Sequence, residues 1–282
     1  MLVKSTEAST MLPAVMVKGF FVILTGTSIL CCLVFSGYFQ DATVELGPDH
    51  YAERLHPVLV KVLPAWLDMP LNTAVNIGYV IVGAAWCACT SVALMRGQLK
   101  DDDAKMFYVF NILSCFYGPI QMLRILTQVH GFGVLDQWIT FPFFMWTFLW
   151  GLHICFGWST LRNVLMTSVS ISSYASVLIH PLGFEICLGI HIALAVSGAL
   201  IAWNANKQAK CLKHFLLAIL SCLGFVLIKL MDLHLPQYSR LFVYVSGHFL
   251  SKICDIFQIH FVNHFFLEIT LSQYAKVQKK SE

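Results

Sequence analysis

Apolar residues fall in long blocks along this chain, and polar residues gather between them. Eight blocks approach the roughly 20 residues of α-helix that cross a bilayer's hydrocarbon core. They run over 19–39, 71–95, 106–127, 135–156, 162–180, 184–203, 213–231 and 242–268. The fifth is the weakest, because Ser168, Ser170, Ser172, Ser173 and Ser176 interrupt it; serine is still accommodated in membrane helices, where it helps them pack. Pro119 and Pro142 fall inside blocks and predict kinks, and Pro181 predicts a tight turn between the fifth and sixth blocks. The pattern predicts an all-α membrane protein with eight transmembrane helices.

The last block is the least uniform. Its stretch GHFLSKICDIFQIHFVNH (247–264) carries His248, Lys252, Asp255, Gln258, His260 and His264. At about 100° per residue, His248, Lys252 and Asp255 share an arc of roughly 60°, and His260 and His264 project from another side. Polar groups in hydrocarbon are costly, so this helix is expected to turn its polar face toward protein or a wet cavity.

Composition agrees with the blocks: 58% of residues are hydrophobic and 12% charged, against about 25% charged in soluble domains. The net charge of +3 argues against a nucleic-acid partner and leaves membrane lipids as the expected surroundings. Ten cysteines lie in or at the edge of apolar blocks, so a disulfide framework is not expected. The first apolar run is longer than a signal-peptide core and follows an 18-residue leader, so it is read as a retained helix.

Charge placement orients the blocks. With a cytosolic N-terminus, twelve Lys and Arg fall on the cytosolic side, while Arg54, Lys61 and Arg240 fall opposite and Arg124, Lys229 and Lys252 stay within spans. Positive residues concentrate in the cytosol, so both termini are expected inside. The expected organisation is a leader over 1–18, one polytopic domain over 19–271 with a non-cytosolic loop over 40–70, and a basic tail over 272–282. Endomembrane and plasma membrane both remain open as locations. The loop's mixed apolar and charged centre predicts an interfacial helix.

Once oriented, the polar groups inside the blocks cluster at one depth. Asn72, Asn76, Gln121, Arg124, Asp136, Lys229, Asp232, His248 and Lys252 all fall in the outer half. Lys229–Asp232 and Lys252–Asp255 have the i,i+3 spacing of self-neutralising pairs. A second reading sets Lys252 beside Asp136 in a site for a polar headgroup or a carbonyl. His260 and His264 have the i,i+4 spacing of two metal ligands. Two ligands are too few, and His153 is the one other histidine expected at that depth; a core or interfacial role is the more ordinary expectation. His191 reads as a satisfied core group, His180 and His234 as interfacial, Trp138 and Trp158 as interfacial anchors, and Gly189 to Ala202 as a close-packing surface. No phosphate loop, nucleophile elbow or dinucleotide fingerprint is present.

Several stretches resemble the vertebrate transmembrane protein 187 family: MPLNTAVNIGYVIVG (69–83), YGPIQMLRILTQ (117–128), VLDQWITFPFFMW (134–146), HPLGFEICLGIH (180–191), SCLGFVLIKLMD (221–232) and GHFLSKICDIFQIHF (247–261). That resemblance implies a multi-pass membrane protein and no particular activity. A fainter one is to the alkaline ceramidases and progestin/adiponectin-type receptors, a seven-helix superfamily of zinc-dependent lipid amidases. Asn72-Thr-Ala-Val-Asn76 resembles their first-helix motif, with valine in place of serine. Tyr117-Gly-Pro-Ile-Gln121 stands where they carry Ser-x-x-x-His, and Asp136 stands at their aspartate. Their last-helix His-x-x-x-His is matched by depth with His248 and Lys252, or by spacing with His260 and His264. This resemblance implies a seven-helix core plus an extra N-terminal helix, and a zinc site whose ligand positions are mostly substituted. Glutamine is a poor zinc ligand and an ammonium repels the ion.

The expected function is therefore non-catalytic: a lipid or amphiphile held in an outer-facing polar cavity by Asn72, Asn76, Tyr117, Gln121, Asp136, His248, Lys252 and Asp255, with no cofactor. The alternative is a zinc-dependent intramembrane amidase or esterase. A transporter is disfavoured, since no internal repeat is visible.

Overall fold

The computed structural model describes residues 13–207 and 209–281, with the side chains of 209 and 277–281 left aside. Among the described residues the chain is all-helical and contains no strand. Helix α1 (Ala14–Leu33) runs on through a π turn at Val34–Tyr38, where Gly37 takes a φ of 92° that glycine adopts without a Cβ penalty. Then come α2 (Pro70–Ala74), α3 (Ile77–Met95), α4 (Asp101–Thr127), α5 (His130–Phe156), α6 (Thr160–Ser173), α7 (Gly183–Asn206), α8 (Ala209–Leu230) and α9 (Gly247–Ser281).

Among the described residues, six stretches are long and apolar enough to cross a membrane: Ala14–Tyr38, Pro70–Met95, Asp101–Thr127, His130–Phe156, Gly183–Asn206 and Lys210–Leu230. The other two expected blocks are helical but not apolar rods. The fifth forms α6, 14 residues capped by the Ser159 side chain, followed by a 3-10 segment over Tyr174–Leu178. The eighth forms α9, 35 residues long; the polar face read from its sequence lowers its hydropathy. Helices α4 and α5 continue through Pro119 and Pro142. Asp101, Asp102 and Asp103 lie in the first turn of α4, where carboxylates complement the helix dipole.

Helix α5 is the centre of the bundle. Of its most apolar stretch 72% is buried, against 17% for α1 and for α8. It packs on α1, α4, α6, α7 and α9. Trp150 is its pivot, stacked on Phe266 with ring centroids 4.4 Å apart and edge-on to Phe107, also at 4.4 Å. The α5–α7 contact is backbone against backbone. A Cβ on Gly151 would lie 2.1 Å from the Gly198 carbonyl oxygen, and one on Gly198 would lie 2.7 Å from the Phe148 Cα. The expected small-residue surface is therefore real at Ala195, Gly198, Ala199 and Ala202, all buried. Gly189 meets nothing within 4 Å.

Two expectations are corrected here. Trp138 is a core residue, 4% exposed and stacked at 5.0 Å on Tyr174, and its indole N–H donates to the Ile171 carbonyl. A buried acceptor on α6 outcompetes the interface. The 40–70 loop forms only short 3-10 turns at Pro48–His50 and Leu59–Lys61. Its middle is held down by specific bonds: Arg54 N–H donates to the Val243 carbonyl at 2.8 Å, and Ala52 N–H to an Asp232 carboxylate oxygen at 3.0 Å. Those bonds hold the backbone extended and leave Val58, Val60, Val62 and Trp66 exposed.

Candidate functional site

The polar groups of α2, α3, α4, α5 and α9 meet below this loop. On α4, Tyr117, Gln121 and Arg124 follow at helical spacing on one face, and all three are buried. Gly118 lets the start of α3 come close: a Cβ there would lie 2.6 Å from the Asn76 carbonyl oxygen. Asn72 and Asn76 are 0% and 1% exposed. The Asn76 amide donates to the Asn72 carbonyl at 2.7 Å, and the Asn72 side-chain oxygen accepts from Ser246.

Asp136 is not the partner of Lys252. Arg124 Nη1 donates directly to its carboxylate, forming a buried ion pair between α4 and α5. Arg124 Nη2 also donates to the Glu45 carbonyl at 2.8 Å and so reaches into the loop. Lys252 still lies within electrostatic reach of Asp136, Asp255, Lys229 and Arg124.

Neither expected i,i+3 ion pair forms. The Lys229 ammonium is 3.4 Å from Glu45. Burial alone would raise the Glu45 carboxyl, but Lys229 and Arg124 outweigh it and hold it below the ordinary range. Asp232 instead accepts the backbone N–H groups of Ala52 and His248, each at 3.0 Å, tying the loop to the start of α9. Asp255 accepts from the Tyr79 hydroxyl at 2.5 Å. Tertiary donors outbid the one-turn ion pair in both cases, since a short bond to a fixed donor costs no ordering of a lysine side chain.

Lys252 is thus a 4% exposed ammonium. Its Nζ lies 5.7 Å from the Tyr117 ring centroid and 5.6 Å from that of Phe225, within cation–π range. His248, also 4% exposed, sets its ring edge-on to Tyr51 at 4.9 Å. Several buried atoms here have no partner among the described residues: Tyr51 Oη, Asn72 Nδ2, Asn76 Oδ1, Gln121 Nε2 and Arg124 Nε. Three are donors only, one is an acceptor only, and the hydroxyl is both. An acceptor-bearing group is what this set lacks.

Glu53 closes the top. Its carboxylate accepts the N–H groups of Leu71 and Asn72, each at 2.8 Å, capping α2. Burial raises it to about 7, against the lowering effect of those two backbone bonds and with help from Asp232. Beside it a cleft of about 240 Å³, bordered by Glu53, Arg54, Trp66, Asp68 and Gln128, reaches Thr73 on α2.

The histidine pair stands elsewhere. His260 and His264 lie edge to face at 4.6 Å, Trp86 donates toward His260, and His214 of α8 stacks on His264 at 4.9 Å. His214 is the third imidazole, paired with Glu268 at 3.2 Å. His153 instead pairs with Asp103 at 2.8 Å. Among the described residues no three His, Cys, Asp or Glu groups gather in a metal-holding arrangement. His191 is fully satisfied by Ser170 and the Cys187 carbonyl.

Sequence reasoning missed Tyr79, Tyr51 and His214, and the reciprocal amide pair Asn111–Asn263 that joins α4 to α9 at 2.7 and 3.0 Å. Asn111 and Asn263 were visible as polar residues within apolar blocks. Nothing local marks Tyr79 or Tyr51.

An all-helical bundle with several apolar spans and a polar cluster buried among them is a multi-pass integral membrane protein. The TMEM187 protein family model matches residues 19–267. Transmembrane protein 187 of Homo sapiens is 40% identical over 234 residues, which is 82% of this chain and 85% of that protein. Transmembrane protein 187 of Bos taurus is 39% identical over 235 residues, 83% of this chain and 90% of that protein. The chain belongs to the TMEM187 family. No solved structure matches it.

Proposed function

We infer that this protein is a non-catalytic, eight-span membrane protein that holds the polar end of a lipid or amphiphile in its outer buried cluster. Both termini lie in the cytosol, the leader, domain and tail have the bounds drawn from sequence, and α6 and α9 complete the spans. One observation carries the binding reading. The Lys252 ammonium is buried and, among the described residues, makes no ion pair within 4 Å, in a polar cluster that also holds unpartnered amide and guanidinium donors. A carbonyl, carboxylate or phosphate oxygen satisfies both at once, and a charge-assisted bond to it is roughly twice as strong as a neutral one. The cleft beside Glu53 reaches Thr73 and Ile125, next in sequence to Asn72 and Arg124 of the cluster.

The donor chemistry supports binding over zinc hydrolysis. Asp136 is consumed by Arg124, and Lys252 and Gln121 stand where ligands are needed. A hydrolase of this kind needs a metal-lowered water pKa, and that donor set does not hold one.

Lys252→Met tests the reading, because it keeps the length of the side chain and removes the charge. Mass spectrometry of small amphiphiles co-purifying with the full chain is expected to show loss of one species in the variant. A variant that melts like wild type and keeps every co-purifying species overturns the reading.

A further inference from the structure

A second cavity shares no lining residue with the outer cluster. Helix α1 leans on α4, and α6 leans on α5. A groove of about 440 Å³ opens between α1 and α6, floored by α4 and α5. Its walls are apolar for most of their length, with Val22, Ile23, Leu30, Val109, Leu113 and Ile139 among them. Its two charged groups share one end, Lys18 from α1 and Lys105 from α4, with Thr160 and Asn163 of α6 beside them, while Thr27, Thr167 and Ser168 are the hydroxyls further along. The volume lies within the range of small-molecule sites, about 300–1,000 Å³.

Asn163 is the independent sign of a ligand. It lines the groove and is 4% exposed, and neither its amide nitrogen nor its amide oxygen has a partner among the described residues. A buried amide with nothing to bond is destabilising, because its desolvation is uncompensated. Lys105 lies 4.8 Å over the Trp158 ring and donates to Asp102 at 2.6 Å. An ammonium has three N–H donors, so that bond leaves capacity for a second acceptor. Lys18 is exposed at the mouth.

We propose that this groove binds one acyl chain of a bilayer glycerophospholipid, with the phosphate at Lys18 and Lys105 and an ester carbonyl at Asn163. The shape fits one chain in one leaflet. From Lys18 to Leu30 the α1 wall rises about 18 Å at 1.5 Å per residue, and half of a 30 Å hydrocarbon core is about 15 Å. The single charged end fits an amphiphile lying along the membrane normal. A free phosphate leaves the apolar length unused, and a helix from another protein leaves Asn163 unpartnered.

The test uses the full chain purified in detergent and native mass spectrometry with added lipid. Phosphatidylcholine and diacylglycerol with identical acyl chains are compared. The expected result is one retained phosphatidylcholine per protein and at least about tenfold weaker retention of diacylglycerol. Val164 lines the groove and is 57% exposed, so Val164→Trp fills it from an exposed position and is expected to abolish retention. Asn163→Leu is expected to weaken retention about tenfold, the ratio carried by one good hydrogen bond. Equal retention of diacylglycerol overturns the phosphate assignment. An Asn163→Leu protein that melts higher and binds phosphatidylcholine as before overturns the site, as does a Val164→Trp protein with undiminished retention.

Discussion

At Glu53 a single side chain couples the 40–70 loop to the bundle. It is 2% exposed, caps α2 through two backbone N–H groups and is raised to about 7 by burial. The sign follows from linkage. In the unfolded chain Glu53 gives up its proton near the ordinary glutamate value, while in the fold it keeps it until about pH 7. Between those values the unfolded state binds fewer protons, so stability falls as pH rises through the window. Hydrogen exchange in residues 51–54 is expected to speed up between pH 5 and pH 8 beyond its intrinsic pH dependence. Glu53→Gln is expected to flatten that excess; an unchanged profile in Glu53→Gln counts against this assignment. Elsewhere at this scale, pairing was the least legible property. Lys252 and Asp255 are three residues apart, yet the hydroxyl of Tyr79, 176 positions away, holds the carboxylate. Spacing along one helix says which groups can meet. It does not say which donor from another helix arrives first.

Between elements, α5 and α7 show how two glycines set a helix crossing. Gly151 and Gly198 bring the backbones so close that an added Cβ meets main-chain atoms, which cannot swing aside. Small residues permit such approach, and dispersion between the backbones then stabilises it. Gly151→Leu is expected to lower the melting temperature in detergent markedly, since overpacking costs about 1–3 kcal/mol or more. Gly189→Leu, at a position with nothing within 4 Å, is expected to leave it within a degree or two. Equal effects at both positions refute the backbone contact. The small-residue run on α7 was readable from sequence, but which of its glycines touches another helix was not, because that depends on where α5 lies.

For the molecule as a whole, the orientation we propose from the apolar blocks and charge bias is one that chemistry can read. A glycosylation sequon placed in the exposed part of the 40–70 loop, near Val58 to Val60, is expected to be modified in microsomes. One placed between α3 and α4, near Gly97, is expected to stay bare. The reverse result overturns the orientation. The run of apolar blocks by itself determined an all-helical membrane protein, because a backbone in hydrocarbon must satisfy its own hydrogen bonds. It also marked most of the buried polar residues, because any polar group inside an apolar block must find a partner or a cavity. Only the tertiary structure decided that Arg124 takes Asp136, that Asp232 and Asp255 leave their lysines, that His214 completes the histidine stack and that α6 ends in a 3-10 turn. Those outcomes are competitions among donors and acceptors on different helices. Their result turns on distances between helices, which no single stretch of sequence carries.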